Sequence, residues 1–203
     1  MDAEAAATAY AELVQEGGEF EVGSVRIGSR VVPAFLRAPP TLPQYFARGF
    51  VEHRDATFIV YENERLTFGE FERRAALLAH ELMVVHDVRP GDRCAVSMRN
   101  MPEWAIAFCA ASAIGAVVVP LNSWWQMKEM EYGLSDSGAK VLVCDAERHR
   151  RAAPSLRKLG IAAIVARATA AEAVDIRAAG DVLFDDALRR SFIAGCDQAA
   201  AGG

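Results

Sequence analysis

The sequence predicts an α/β fold: a three-layer lobe in which a mostly parallel sheet carries helices on both faces. Two observations carry that prediction. Between residues 66 and 144, segments with apolar residues at three- and four-residue steps alternate with short valine-rich runs, the signature of successive β-α-β units. The order strand, helix, strand, helix, strand implies right-handed crossovers, and so a parallel sheet. At 203 residues the chain has room for one good core and a small appended lobe.

Composition narrows the classes. With 52% hydrophobic residues, 24% charged residues and a net charge of −5, the chain reads as an ordinary globular protein with no call for a nucleic-acid partner. The basic cluster Arg148, His149, Arg150 and Arg151 reads as a solvated helix face. Cys94, Cys109, Cys144 and Cys196 stand far apart without CxxC or Cys/His spacing, so they are expected as free thiols of a reducing compartment, not as zinc ligands. The first twenty residues carry early acids and no apolar h-region, and no apolar run approaches the roughly 20 residues of a membrane span. The expected location is cytoplasmic.

Taken in order, residues 2–15 are alanine-rich and suit a short helix stopped by Gly17 and Gly18. Alternation through Val25, Ile27 and Val31 predicts a hairpin or edge strand, and Pro39, Pro40 and Pro43 then break the chain. Residues 1–41 therefore form an N-terminal arm. Residues 42–53 present Tyr45, Phe46 and Phe50 on a helix, which leads to a strand at 57–61, a turn at Glu62 and Asn63, and a second strand ending near Leu66. Thr67 with Glu70 is a capping box, in which each side chain satisfies the other's free N–H. Phe71, Ala75, Leu78, Leu82 and Val85 follow at helical steps as a buried face, with Glu70, Arg73, Arg74 and Glu81 on the solvated side.

Pro90, Gly91 and Asp92 make a turn, since proline fixes φ and glycine takes the positive φ a type II turn demands. A strand at 94–98 follows, then a helix opened by Pro102 that carries Trp104, Phe108 and Ala111 inward and ends at Gly115. The run 116–119 is apolar on both faces, as a strand in the middle of a covered sheet would be. Ser123 with Gln126 suggests a second capping box before a helix with Met127, Met130 and Leu134 inward. Strands at 140–144, 161–166 and 182–184, with a helix at 145–159, complete the lobe. The α/β body is thus expected over 42–193, and residues 194–203 as a disordered tail at a point where a longer chain was cut.

Five short motifs then converge on one family. LTFGEF at 66–71, PGDRCAV at 90–96, NMPEW at 100–104, AIGAVVVPLN at 113–122 and LSDSGAKVLV at 134–143 together resemble the N-terminal region of the adenylate-forming enzymes, above all the acyl-CoA synthetases or fatty-acid-CoA ligases. The resemblance covers residues 42–143, and the arm at 21–46 is similar to the leader of some bacterial members. It implies the N-terminal part of the acyl-CoA synthetase fold. It also implies an enzyme that joins a fatty or related carboxylic acid to ATP, as an acyl-adenylate, and passes the acyl group to coenzyme A with magnesium present. The family's Ser/Thr/Gly-rich loop of the type TSGTTGxPKG, its later acidic motifs and its C-terminal lysine have no counterpart in this sequence. No catalytic, cofactor-binding or metal-binding residue is therefore carried over, and the chain alone is expected to be inactive with no cofactor bound. Met101 stands where the family commonly has serine or threonine, and His86 with Asp87 replaces a glycine-containing turn.

Outside the core pattern, Trp124 and Trp125 are the candidates for contact with an acyl substrate, a partner subunit or a membrane surface. The plainer reading puts one under the sheet and the other at an interface. His53, His80, His86 and His149 show no partner at hydrogen-bonding spacing, the adjacent Asp185 and Asp186 point apart, and Asp92 and Asp136 suit turns. Ser97, Ser112 and Ser123 lack a GxSxG context, and no strand is followed by GxGxxG, which removes a hydrolase and a free-standing dinucleotide-binding domain. Two alternatives stand beside the CoA ligase: a naturally truncated binding or scaffold module, with uncovered apolar surface that favours oligomers, and a fragment of a fatty acyl-AMP ligase that loads a carrier protein.

Overall fold

A computed structural model describes residues 2–201 and divides the chain into two compact units, one ending at Tyr45 and one starting at Phe46. In the first, α1 (Ala3–Val14) is capped by Asp2, whose Oδ1 accepts from Ala5 N at 2.8 Å. The strands β1 (Val22–Ile27) and β2 (Arg30–Phe35) pair antiparallel around Gly28, whose φ of 59° no β-branched residue would take readily. No described side chain up to Tyr45 is buried. The helix α2 (Leu42–Glu52) crosses the boundary between the units.

The second unit begins with an antiparallel hairpin, β3 (Thr57–Tyr61) and β4 (Glu64–Thr67). The capping box at α3 (Phe68–Val84) forms as read: Glu70 N donates to Thr67 Oγ1 at 3.1 Å and Thr67 N to Glu70 Oε2 at 2.9 Å. There follow β5 (Arg93–Ser97), α4 (Pro102–Ala113), β6 (Val117–Pro120), α5 (Met127–Ser137), β7 (Ala139–Asp145) and α6 (Ala146–Leu159). The unit ends with β8 (Ala162–Ala166), α7 (Ala170–Ala178), β9 (Val182–Leu183) and α8 (Phe184–Ala201). The five strands form one wholly parallel sheet in the order β6-β5-β7-β8-β9.

Alternation along each strand sends its side chains to two separate cores, which is what makes three layers. Cys94, Val96, Val141, Val143 and Ile164 pack on one face with Leu78, Leu82, Ile106 and Leu188 of α3, α4 and α8. Ala95, Leu142, Cys144, Ala163 and Val165 pack on the other with Met130, Leu134, Leu156 and Ile176 of α5, α6 and α7. Leu78, Leu82 and Ile106 are wholly buried, each removing apolar area that contributes about 2 kcal/mol.

Several elements differ from the sequence expectation. The valine run expected at the sheet's centre is β6, an edge strand with Val117 49% exposed. Its outer edge is blunted: Val117 N and Leu121 N donate inward to Asp92 O and Val96 O, Ala116 N is taken by Ala111 O, and Pro120 has no N–H. Only Val118, by alternation, turns an N–H outward. The box before α5 joins Gln126 to Glu129, not Ser123 to Gln126. The helices α7 and α8 were not expected, and α8 continues through residues 194–201, where a tail without structure was expected; residues 202–203 of that tail lie outside the described residues. Val85 ends up 46% exposed, because α3 stops at Val84.

Candidate functional site

In an open parallel sheet, the loops leaving adjacent strands in opposite directions open a crevice at their carboxyl ends, and that is where such folds place ligands. Here the chain leaves β5 toward β6 on one side and later takes β7 on the other, so the crevice lies outside the ends of β5, β6 and β7. Arg99 follows β5, Trp124 follows β6 and Asp145 closes β7.

Trp124 is 67% exposed and the Arg99 guanidinium lies 4.2 Å from its ring centroid, a cation–π contact. The loop that holds it is fixed from both sides. Trp124 N donates to Asn122 Oδ1 at 2.9 Å, and Gln126 Nε2 donates to Trp124 O at 3.2 Å. From below, Arg148 Nε donates to Ser123 O at 2.8 Å and Arg151 Nη1 to Trp125 O at 3.2 Å. Trp125 turns the other way, half-buried among the core residues of α5 and α6. The two tryptophans are thus divided between surface and core.

Asp145 is the acid at this crevice, and its oxygens are fully engaged. Oδ1 accepts from Arg148 N at 2.9 Å as the cap of α6, while Oδ2 accepts from Arg99 N at 3.2 Å and Arg148 Nη1 at 3.1 Å. Arg148 is 2% exposed and also pairs with Glu147. The basic cluster is therefore a solvated face only at Arg150, which is exposed, and not at Arg148 and His149: burial of Arg148 is allowed because every charge it meets is answered. His149 is buried too, its Nε2 2.7 Å from Asp181 Oδ2, while Asp181 Oδ1 accepts from Ala163 N at 2.8 Å.

The histidine expectation fails at one further position: His80 Nδ1 lies 3.2 Å from Ser191 Oγ. His86 Nε2 lies 3.6 Å from Glu81 Oε1, beyond hydrogen-bonding distance, and is buried without a hydrogen-bond partner. Glu81, expected on the solvated side of α3, has no exposure and pairs with Arg190 of α8, with Ser191 Oγ donating to Oε2 at 3.3 Å. Burial alone would push its carboxyl up; His86 and Arg190 outweigh that and hold it below the usual range. His53 is exposed and packs on the Phe68 ring.

Among the remaining candidates, Asp92 accepts from Arg89 N at 2.9 Å as a turn residue, whereas Asp136 lies in the last turn of α5. Asp186 pairs with Arg177 and Asp185 lies in the first turn of α8. Ser97 is buried with an unpartnered Oγ, Ser112 falls in α4, and Ser123 contributes its carbonyl. Cys94, Cys109 and Cys144 are buried, and desolvation pushes the first two thiols up to about 12 and about 11 and raises the third; Cys196 is exposed.

A nucleotide triphosphate with magnesium requires free N–H groups and uncommitted acids. Among the described residues no three His, Cys, Asp or Glu side chains gather where a metal could be held. Asp145 already caps α6, Gln126 with Glu129 caps α5, and α4 opens on Pro102. The residues of this crevice do not fit ATP or Mg²⁺, and no step through either is drawn from them. No helix of the described residues is long and apolar enough to cross a membrane.

Comparison with known proteins gives the lobe its context. A family model described as AMP-binding enzyme matches residues 46–190. A feruloyl-CoA synthase of an Amycolatopsis species is 41% identical over 88 residues, 43% of this chain and 18% of that protein. A long-chain-fatty-acid–CoA ligase of Yersinia pestis is 30% identical over 103 residues, 51% of this chain and 18% of that protein. The chain therefore spans less than a fifth of the length of these curated relatives. The crystal structure of a benzoate CoA ligase from Burkholderia xenovorans shares the fold, with a TM-score of 0.64 at 21% identity over 73% of this chain and 28% of that one. With the family model matched over well more than half of its residues, the chain belongs to the AMP-binding enzymes, the adenylate-forming acyl-CoA synthetase family.

Proposed function

We propose that this chain is the N-terminal α/β scaffold of an ATP-dependent acid–thiol ligase that makes an acyl-adenylate and then an acyl-CoA, with a fatty acid as substrate. The observation that carries the reading is the family match over 46–190 in a chain that covers 18% of its curated relatives. ATP, Mg²⁺ and coenzyme A belong to the whole enzyme, since the crevice of this lobe has its acid and its helix ends engaged. The lobe alone is inactive and works in the cytoplasm, with Trp124 at a surface that meets the rest of the enzyme or the acyl substrate. A second reading, an aromatic acid as substrate, has one specific support: the 41% identity to a protein named feruloyl-CoA synthase.

The test has two arms. The purified chain should give no carboxylate-dependent ATP–pyrophosphate exchange with palmitate or with ferulate, and exchange by the chain alone would overturn the inactive-scaffold reading. Residues 42–193 grafted in place of the matching region of an active fatty-acid–CoA ligase should give a folded chimera that still makes acyl-CoA. A folded chimera without exchange would count against a synthetase scaffold and for a binding module. In that chimera, Trp124→Ala should alter acyl selectivity; unchanged selectivity would remove Trp124 from substrate contact, as packing in the core already does for Trp125.

A further inference from the structure

Arg99 and Trp124, the exposed stacked pair at the β5–β7 crevice, are both fastened to one buried ion pair. Asp145 and Arg148 are almost wholly buried. Asp145 Oδ2 accepts from Arg99 N at 3.2 Å and from Arg148 Nη1 at 3.1 Å, and Arg148 Nε reaches across to Ser123 O at 2.8 Å. The main chain beneath each member of the stacked pair is therefore held by the same two side chains at the end of β7. A buried ion pair contributes little net stability, because desolvation offsets the attraction, so folding energy does not account for it. What a guanidinium supplies is direction: its donors lie in one plane at fixed angles and hold several acceptors at once.

A second arginine completes the hold. Arg151, half-buried one turn further along α6, donates from Nη1 to Trp125 O at 3.2 Å and to Ser123 O at 3.4 Å, while its Nη2 pairs with Glu147. Glu147 also accepts from Arg148 Nη1 at 2.9 Å, so one carboxylate keeps both arginines in place. The carbonyls on either side of Trp124 are thus held from α6, and Trp124 N and O are taken by Asn122 and Gln126, yet the indole stays exposed. Ordering a loop this tightly costs conformational entropy, and the exposed ring recovers little of it by burial. It is what a preorganised contact requires, since a ring already held in its bound pose loses little freedom when a ligand arrives.

We infer that Arg148 and Arg151 are positioning residues of the crevice: through the carbonyls of Ser123 and Trp125, and through Asp145 beneath Arg99, they hold the Arg99–Trp124 pair in the pose that meets the acyl group of the substrate. Both act through the loop and neither touches that group. The acyl contact rests on the function proposed above, whereas the hold on Trp124 does not, and the two are measured separately.

Amide relaxation of the whole chain by NMR reads the hold. The Trp124 N–H should show an order parameter of about 0.85, that of rigid backbone, and Arg151→Met should take it below about 0.6. The change should stay within residues 122–126, where a general loss of structure would spread through the lobe. Arg148→Lys, which keeps a charge beside Asp145 but cannot span Asp145, Glu147 and Ser123 O together, should act alike. Arg151→Met leaves the buried pair intact, and so decides the matter even if Arg148→Lys does not fold. Arg150→Gln, on the same helix but paired with Glu172, should change nothing. In the active chimera with a fatty-acid–CoA ligase, Arg151→Met should raise KM for the fatty acid about tenfold and keep kcat within about twofold, the pattern of binding lost without chemistry lost. A Trp124 amide that stays ordered in Arg151→Met, or loosens equally in Arg150→Gln, overturns the positioning role. A loosened amide with an unchanged fatty-acid KM overturns the acyl contact instead.

Discussion

Glu81 shows how one residue can reverse its sequence reading. It falls among Glu70, Arg73 and Arg74 off the apolar stripe of α3, and it is met inside by His86 and by Arg190 and Ser191, 109 and 110 residues further on. No local pattern announces a partner that distant, because the helix period records a side chain's angle and says nothing about what packs there. The same holds for Arg148, whose buried role depends on the loop after β6, and for His149, whose acid is 32 residues away. Glu81→Gln keeps the shape and removes the charge, leaving the half-exposed Arg190 without its carboxylate. A loss of about 1 to 3 kcal/mol at pH 7 is expected, below the usual cost of breaking a fully buried pair because Arg190 can hydrate. Since the folded pKa of Glu81 lies below the ordinary value of 4.5, its stabilisation is complete above that value and disappears as pH falls through the folded one. Denaturant unfolding at pH 7 and near pH 3 should therefore show a gap between wild type and variant that closes in acid. A gap of equal size at both would show that shape, and not charge, is what Glu81 contributes.

At the scale of elements, local signals were read well wherever they were self-contained. The Thr67–Glu70 box, the Gly91 turn with φ at 88° and the helix start at Pro102 need only neighbouring residues. Sheet order needs more, and so the valines of β6 gave their strand but not its place at the edge. The start of α7 was legible in Thr169 and Glu172, a complete capping box, yet its alanine-rich run hides the helical period because alanine suits either face. The start of α8 has no such signature, since Phe184 follows directly on a two-residue strand. Of the candidate site, Trp124 and Trp125 were visible in sequence, while Arg99 and Asp145 depend on strands brought together by the fold.

Packing under α5 gives a test at the same scale. A Cβ at Gly133 would stand 2.7 Å from Trp125 Cζ3, closer than real contacts allow, and 3.0 Å from Leu121 Cδ2, a tight contact. Gly133→Ala gains about 1 kcal/mol of helix propensity and forces the indole aside at about 1 to 3 kcal/mol. The clash wins: a net loss of up to about 2 kcal/mol is expected in denaturant unfolding, with a red shift of tryptophan emission as Trp125 moves toward water. A variant more stable than wild type, with unchanged emission, would mean that the indole yields freely and that the loop above it is not fixed from below.

Over the whole molecule, burial is divided unevenly between the two units. The first buried side chain is Phe50, and every core residue of both sheet faces follows it. The unit ending at Tyr45 holds its helix and hairpin by local hydrogen bonds, and its apolar Tyr10, Ile27, Val31 and Phe35 stay more than half exposed. Cooperative unfolding draws on buried apolar area, so the transition of the intact chain belongs to the residues from Phe46 onward. Arg26, Arg30 and Arg37 are exposed in the first unit, which has no buried side chain to hold it closed, whereas the later lysines and arginines, though mostly exposed, lie for the most part in elements packed on the buried core, which must open before they are cut. Brief trypsin treatment should therefore cut after these arginines first and leave a product that starts near Ala38. That product should melt within about 2 °C of the intact chain, since a shift of several degrees would correspond to roughly 1 kcal/mol of lost stability. If the clipped chain instead melts far lower or loses its cooperative transition, the first unit contributes to the core's stability, and the scaffold proposed for the synthetase has to include it.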